Sequence, residues 1–312
     1  LADLNAVDAG SSPAIFAGVQ HLSGVEYSQY LYFVAEANQL PIACECKVQK
    51  VTAQANGGFH LDTEEGPIQT DYLIWACGEF QFPDLEPFPG ADLCWHYAQI
   101  TDWRDFKKRP YTVIGGYESG LDSAINLLKH GCEVNLLVRN RTWDLPEVYD
   151  PSQTLSPYTR QRLRDVEADE RLTITYGADV VEVTRALESG FTIDLADGRS
   201  LDAQHPPILG TGFVKGGGAR QVSELWEWND SGNILLSEID ESVKTPGLFL
   251  VGPQVRHEQQ VYCFIYKFRQ RFAFIAKEIA GRKQLQFKFA NDTPEGAWGP
   301  FGNSECCENC EC

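Results

Sequence analysis

The sequence predicts an α/β chain in which one strand–helix–strand unit separates two series of short antiparallel strands. Three observations predict it. Residues 111–141 read YTVIGGYESGLDSAINLLKHGCEVNLLVRNR, an apolar strand, a Gly turn, an amphipathic stretch at helical spacing and a second apolar strand. Short alternating runs punctuated by Asn-Gly, Glu-Gly or Asp-Gly turns lie on both sides of it. Each series then feeds an apolar strand that ends in small residues, at Ala76-Cys77-Gly78 and again at Gly210-Thr211-Gly212.

Taken in order, residues 1–24 are rich in small and turn-forming residues and read as an ordered loop. Ser23 or Gly24 opens a helix whose stripe is Tyr27, Tyr30, Leu31, Val34 and Ala35, closed by Pro41. A β-meander follows: IACECKVQKVTAQ, then GFHLDTEEGPIQT, with turns at Asn56-Gly57-Gly58 and Glu65-Gly66. Cys44 and Cys46 fall on its first strand, two apart on one face, which favours core filling. A buried strand ends at Gly78, and the Pro-rich link EFQFPDLEPFPG marks a domain boundary. In the central unit the strand is Tyr111 to Ile114, the helix runs from about Ser119 to His130, and the second strand is Glu133 to Val138. Another helix is expected between Asp150 and Arg164, then a second strand series, LTITYGADVVEVTRA and GFTIDL, with a turn at Asp197-Gly198. The strand Leu248 to Val251 leads through a loop to a long helix, Val261 to Ala280. Its Lys267, Arg269 and Arg271 are expected toward solvent or an acidic ligand.

Composition excludes several function classes. At 312 residues, 43% of them hydrophobic, the chain has room for about two cored domains, and it contains no apolar run long enough to span a bilayer. A net charge of -18 argues against nucleic acid or an anionic membrane, because phosphate recognition needs clustered Lys and Arg. With no Met and a start at Leu1, the natural N-terminus is expected to lie upstream of the residues given. Six of the ten Cys are scattered through the body without an even framework, which favours a reducing cytoplasm.

The chemistry is concentrated at Gly115, Gly116, Tyr117, Glu118, Ser119 and Gly120. Glycine first turns the chain off a strand, and the last glycine lets helix and strand approach, as a Rossmann-like dinucleotide fold requires. A pyrophosphate would rest on the N–H groups at the helix start. Tyr117 stands where the middle glycine belongs, and Gly116 beside it offers some of the lost conformational freedom. At the end of the second strand, where an NAD site wants an acid, stand Arg139 and, close behind it, Arg141. These suit a 2′-phosphate and hence NADP; the alternative is a solvated Arg pair at a strand end.

With these motifs the chain resembles the two-dinucleotide-binding-domain flavoproteins, which include flavin-containing monooxygenases, thioredoxin reductases and related pyridine nucleotide-disulfide oxidoreductases. The resemblance covers residues 25–280 and implies a three-layer NADP domain inserted into an FAD domain with a β-meander. The expected division is 1–92 and 211–285 for the FAD part, 93–210 for NADP and 286–312 for a flexible Cys-rich tail. Ala76, Cys77 and Gly78 match the family's Ala-Thr-Gly turn with Cys for Thr. Gly252, Pro253 and Gln254 match the Gly-Asp that meets the flavin ribitol, with Pro for Asp. The family's first FAD-binding βαβ unit is not within this sequence. Phe88-Pro89-Gly90 followed by His96 resembles the monooxygenase signature with two extra residues, against the plain alternative of a loop histidine making one hydrogen bond.

The resemblance implies an FAD- and NADPH-dependent oxidoreductase, flavin-monooxygenase-like in the first place, with a small-molecule substrate and a homodimer as an open option. One alternative is a disulfide or metal(loid) reductase; another is a binding relic of the fold. Cys306, Cys307, Cys310 and Cys312 bear on this choice, since thiolates at such spacing bind soft metal ions or form a reversible disulfide.

Overall fold

The structure, a computed structural model, describes residues 5–7, 11–19, 21–141, 143 and 150–286. The chain divides into two compact units: one runs to Gly78 and resumes at Lys215, and the other is Glu79–Val214.

In the first segment, α1 (Pro13–Ala17) is a short helix inside the expected loop, capped by the Ser12 side chain. The next helix, α2 (Gly24–Ala37), starts with a reciprocal capping box between Ser23 and Glu26, which satisfies two otherwise orphaned donors. It buries Tyr30 and Val34 of the expected stripe but leaves Leu31 exposed, and it ends before Pro41. Strands β1 (Val48–Ala53), β2 (Phe59–Thr63) and β3 (Ile68–Thr70) pair antiparallel as the expected meander. Its first strand starts only at Val48. Cys44 and Cys46 therefore precede the sheet on a turn where Glu45 takes φ 56°, and Cys44 is exposed, so core filling is wrong for it. Strand β4 (Leu73–Trp75) leads to Gly78.

The second unit opens with β5 (Trp95–His96), β6 (Pro110–Ile114), α3 (Glu118–Lys129) and β7 (Glu133–Val138). Helix α4 (Pro157–Val166) and strand β8 (Leu172–Tyr176) follow. After them come β9 (Val180–Arg185), β10 (Phe191–Leu195), β11 (Ser200–Ala203) and β12 (Ile208–Leu209). A parallel sheet runs in the order β5-β12-β6-β7-β8, and β9 to β11 form an antiparallel sheet of three strands. The segment LTITY thus belongs to the parallel sheet, as β8 against β7, and not to the second meander where the alternation placed it.

Neighbouring residues on the central strands serve opposite faces, because side chains alternate along a strand. Val113, Leu136, Val138 and Ile208 pack with α3, Trp143 and Leu163 of α4. Ile114, Leu137 and Leu209 pack with Phe191 and Ile193 of the antiparallel sheet. The unit is therefore layered as helices, parallel sheet and antiparallel sheet, with both faces of the central strands apolar.

The last segment returns to the first unit with β13 (Leu248–Leu250), the hairpin β14 (Arg256–His257) and β15 (Gln260–Val261), and α5 (Ile265–Arg282). Strand β13 lies parallel to β4, in the register Leu248↔Leu73 to Leu250↔Trp75. Leu248 and Leu250 face the meander side with Phe59, Trp75 and Trp226, while Phe249 and Val251 face Ile275 of α5. Among the described residues no helix is long and apolar enough to cross a membrane.

Candidate functional site

Three glycines bring β6, β12 and α3 together in the second unit. Gly115 leaves β6 at φ 120°, a conformation open to glycine, and its N–H donates to the Leu137 carbonyl at 3.0 Å. A Cβ on Gly120 would lie 1.8 Å from the Gly115 oxygen, and one on Gly210 would lie 2.6 Å from the Cα of Gly120. Gly116 behaves differently from expectation. It is not among the positive-φ residues, so its use is space: a Cβ there would strike Val138 Cγ1 at 2.5 Å.

Tyr117 is the N-cap residue of α3 and makes no side-chain capping bond. Its hydroxyl instead reaches the carbonyl oxygens of Thr154 at 2.5 Å and Ser152 at 2.7 Å, sharing one proton between them. A tyrosine thus fits the middle-glycine position by turning its ring away from the helix start. Glu118 is likewise committed sideways. Its carboxylate accepts from the Ser156 N–H and the Thr159 hydroxyl, both at 2.5 Å, at the start of α4. The Ser119 carbonyl accepts from Ser123. The first turn of a full-length helix is left without a side-chain cap, which is the arrangement that favours an anion.

Arg139 ends β7, 70% exposed and 3.7 Å from Asp179, a separation that leaves it loosely held. The Arg141 guanidinium lies 5.4 Å from the Trp143 ring centre and 5.9 Å from that of Tyr176. Trp143 is buried and its indole N–H donates to the Gly116 carbonyl at 2.6 Å. Sequence reasoning missed both Trp143 and the Tyr117 anchor; a tryptophan two residues beyond Arg141 was the available signal. The structure therefore brings Gly115 through Gly120 together with Trp143 and residues 152–156. These residues fit a bound dinucleotide phosphate: Gly115, Gly116, Gly120 and Gly210 let strand and helix close up where a Cβ would collide with the protein, and the helix start has no side-chain cap competing for an anion.

In the first unit, β4 and β13 run side by side and end at the same edge, so Ala76-Cys77-Gly78 and Gly252-Pro253-Gln254 are neighbours. Gly78 has φ 64° and Gly252 φ 99°, and a Cβ on either would meet nothing within 4 Å. Ligands gather beyond the carboxyl ends of such strands, and the space around both glycines leaves room for one there. The Gly78 carbonyl accepts from the Gly218 N–H at 2.9 Å, and Gln254 Oε1 accepts from the Gly216 N–H at 2.8 Å. Pro253 adds no N–H donor. Burial pushes the Cys77 thiol up, so at neutral pH it is a protonated neighbour and not a nucleophile.

His96 is buried, and both its ring nitrogens are engaged. Nδ1 accepts from the Ala98 N–H at 3.1 Å, so Nε2 carries the proton it donates to the Gly212 carbonyl at 2.9 Å. Burial lowers its pKa, against smaller opposing effects of the Gly212 bond and Asp84. It ties β5 to the end of β12 and has no open nitrogen for chemistry.

The cations of α5 correct the reading of a solvated face. Lys267 is 1% and Arg269 9% exposed; Lys267 donates to the Val261 carbonyl, and Arg269 to that of Ala6. Arg271 binds both carboxylate oxygens of Asp240 at 2.9 Å. Alternating charge along a helix carries no mark of which charges have buried partners, and these have them. Cys306, Cys307, Cys310 and Cys312 lie outside the described residues; among the described residues no His, Cys, Asp and Glu cluster could hold a metal ion.

A family model described as pyridine nucleotide-disulphide oxidoreductase matches residues 1–252, and the chain belongs to that family of flavoprotein oxidoreductases. Bacilliredoxin reductase Bdr of Bacillus subtilis is 28% identical over 129 residues, 41% of this chain and 37% of its own length. Ferredoxin–NADP reductase of Enterococcus faecalis is 23% identical over 238 residues, 72% of this chain and 64% of its own. The chain thus spans less than two thirds of the length of these curated relatives. Among solved structures, bacillithiol disulfide reductase Bdr from Bacillus cereus superposes with a TM-score of 0.67 at 21% identity, covering 83% of this chain and 78% of that one. T. acidophilum thioredoxin reductase gives 0.64 at 17%, over 87% and 84%. A flavin-containing monooxygenase from Stenotrophomonas maltophilia gives 0.61 at 16%, over 83% and 77%. At these identities the likeness is one of fold.

Proposed function

We propose that this chain handles both cofactors of an NADPH-dependent flavoprotein reductase, which moves a hydride from NADPH to FAD and passes two electrons to a small-molecule acceptor. The observation that carries the reading is the first turn of α3, opened by Gly115, Gly120 and Gly210 and left without a side-chain cap. There the N–H groups would hold the NADPH pyrophosphate, and Arg139, exposed at the end of β7, would take the 2′-phosphate. Trp143 and Tyr117 keep that turn in shape through Gly116 and residues 152–154. In the first unit, Gly78 and Gly252 would leave the flavin its room, with Gln254 holding the Gly216 backbone beside it. FAD, when bound, supplies the two-electron chemistry, and the protein's part is binding, orientation and the handling of protons.

Two relatives bear names of reductases and one, 27% identical over 97 residues, that of an indole-3-pyruvate monooxygenase; what favours the reductase is that both nitrogens of His96 are engaged, which leaves the loose monooxygenase signature without a reactive group. The monooxygenase reading keeps the support of the shared fold. Anaerobic titration of the purified full-length protein with NADPH tests the assignment. Bleaching of the oxidised-flavin band by NADPH, and more weakly by NADH, is expected. A protein without flavin, or one that NADPH leaves oxidised, would sink it. Oxygen uptake matched by an oxygenated product would move the assignment to the monooxygenase.

A further inference from the structure

Asp240 is fully buried, and it is a non-glycine residue in the left-handed region, at φ 62°. Such a position costs about 1 kcal/mol or more and persists only where the surroundings impose it. Here the Asp240 N–H donates to Ser237 and the Asp240 carbonyl accepts from Leu250 of β13. The carboxylate is aimed inward, where an unpaired charge would be expensive. Arg271 of α5 meets both oxygens at 2.9 Å, and His257 Nε2 stands 2.5 Å from Oδ1.

This arrangement defines the imidazole. Arg271 can only donate, so both oxygens of Asp240 accept from it. Two groups meet Nε2, Asp240 Oδ1 at 2.5 Å and Arg271 Nη2 at 3.3 Å; the shorter contact, to an acceptor, puts the proton on Nε2, so the Arg271 approach is no hydrogen bond and in the neutral ring Nδ1 holds the lone pair. Among the described residues Nδ1 has no hydrogen-bond partner, and the His257 side chain remains 23% exposed. The Tyr262 ring packs edge-on against it at 5.8 Å and also lies under Arg271 at 5.1 Å, which fixes the imidazole plane. The charged groups around it are Arg256 and Glu258 on its own hairpin, Glu238 and Glu241 flanking Asp240, and Lys267 and Arg271 on α5. Of these, Glu241 is paired with Arg282, and the Glu238 carbonyl accepts from Arg271. A buried acid in strained backbone that holds one nitrogen of a part-exposed histidine is the arrangement of a proton donor and acceptor.

His257 lies five residues beyond Gly252, on the loop that leaves the open edge of β13 and β4. We propose that His257, oriented by Asp240 and Arg271, is the proton-transfer group of the reductase; the inference rests on the function proposed above. With a two-electron acceptor Q the balance is NADPH + H⁺ + Q → NADP⁺ + QH₂. The hydride brings the electron pair and one proton. The second proton comes from Nδ1–H of the imidazolium, which refills from solvent on its exposed side, while Nε2–H stays on Asp240. No electron passes through the ring.

The test uses the flavin-loaded full-length protein and its His257→Gln variant, whose amide can still donate to Asp240. Two acceptors are compared: a water-soluble quinone, whose reduction consumes protons, and ferricyanide, whose reduction does not. The wild type is expected to slow with the quinone as pH rises, because the donor is the protonated ring. The variant should lose that dependence and turn over roughly 100-fold more slowly with the quinone, while ferricyanide rates stay the same and added imidazole restores part of the loss. A variant whose flavin NADPH still bleaches and whose quinone pH profile is unchanged would show a structural clamp and overturn the proposal alone. A wild type that NADPH cannot bleach would overturn the proposed function with it. Independently of turnover, ¹⁵N NMR of the neutral ring should show the proton on Nε2, and a proton on Nδ1 would overturn the assignment.

Discussion

Gly120 sits against Gly115 so closely that a Cβ on it would lie 1.8 Å from the Gly115 carbonyl oxygen, and that oxygen is backbone that cannot swing away. Gly120→Ala must push α3 off β6 and β12. We expect it to destabilise the second unit by about 1–3 kcal/mol or more, as overpacking does. Chemical denaturation followed by tryptophan fluorescence would measure this. A variant with the wild-type midpoint would mean that the helix is not seated as described.

Arg139 is exposed and loosely paired with Asp179, so its guanidinium is available to a ligand at little cost. Arg139→Glu should weaken NADPH binding about tenfold while changing NADH by much less, since one charge-assisted hydrogen bond is worth about 1.5–3 kcal/mol before solvent screening. Calorimetric binding of both nucleotides decides it. Equal losses would assign Arg139 to the fold.

Tyr117→Phe removes the hydroxyl that the Thr154 and Ser152 carbonyls share. A loss of about 1–2 kcal/mol is expected, with faster hydrogen exchange confined to the segment after Asp150. Unchanged exchange there would show that the loop has other anchors sufficient to hold it.

Burial holds the His96 pKa below its ordinary 6.5, so the folded protein keeps the ring neutral while the unfolded chain takes up a proton. The unfolded state therefore binds more protons just below 6.5, and stability must rise with pH through the window from the folded pKa up to 6.5. Melting curves on either side of that window should show stability lost on acidification. His96→Gln should be less stable above 6.5 and less sensitive to this acidification, and an equally steep pH dependence in the variant would assign the effect elsewhere.

Cysteine reactivity should follow exposure. Burial, with Asp92 adding to it, pushes the Cys94 thiol up to about 12, and Cys77 and Cys132 are also raised by burial, whereas Cys44 lies exposed on its turn. At neutral pH, alkylation followed by peptide mapping should label the exposed Cys44 well before Cys94, because only the thiolate reacts. Early labelling of Cys94 would contradict its burial.

The central unit was legible because its signals are local. The spacing of Gly115 and Gly120 and the apolar runs at Tyr111–Ile114 and Glu133–Val138 each follow from steric rules within a few residues. What stayed hidden depended on partners distant in sequence. Residues 172–176 alternate as well for a meander as for a parallel edge, and only pairing with β7 decides. Tyr117 looked like a defect in a glycine fingerprint until residues 152–154 supplied its acceptors. Lys267, Arg269 and Arg271 read as a wet helix face because Asp240 and the carbonyls of Val261 and Ala6 are not their neighbours in sequence. The pairing of His257 with Asp240, and of Asp240 with Arg271, was hidden in the sequence for the same reason.

The second unit begins and ends at one place: Pro83 bridges Phe213, the Asp84 N–H donates to Gly212, and the Val214 N–H donates to Phe82. This closure bears on the order in which a nascent chain assembles. The pairing of β4 with β13 joins segments separated by the whole second unit, and an open chain of that length is slow to bring its ends together. Once the second unit has folded, its two ends are already clasped and the remaining loop is short, which lowers the closure cost by about 2 kcal/mol. The insert thus serves as an assembly jig for its host, and a lesion in the glycine turn around Gly115 should show first as a delay in pairing Leu73–Trp75 with Leu248–Leu250.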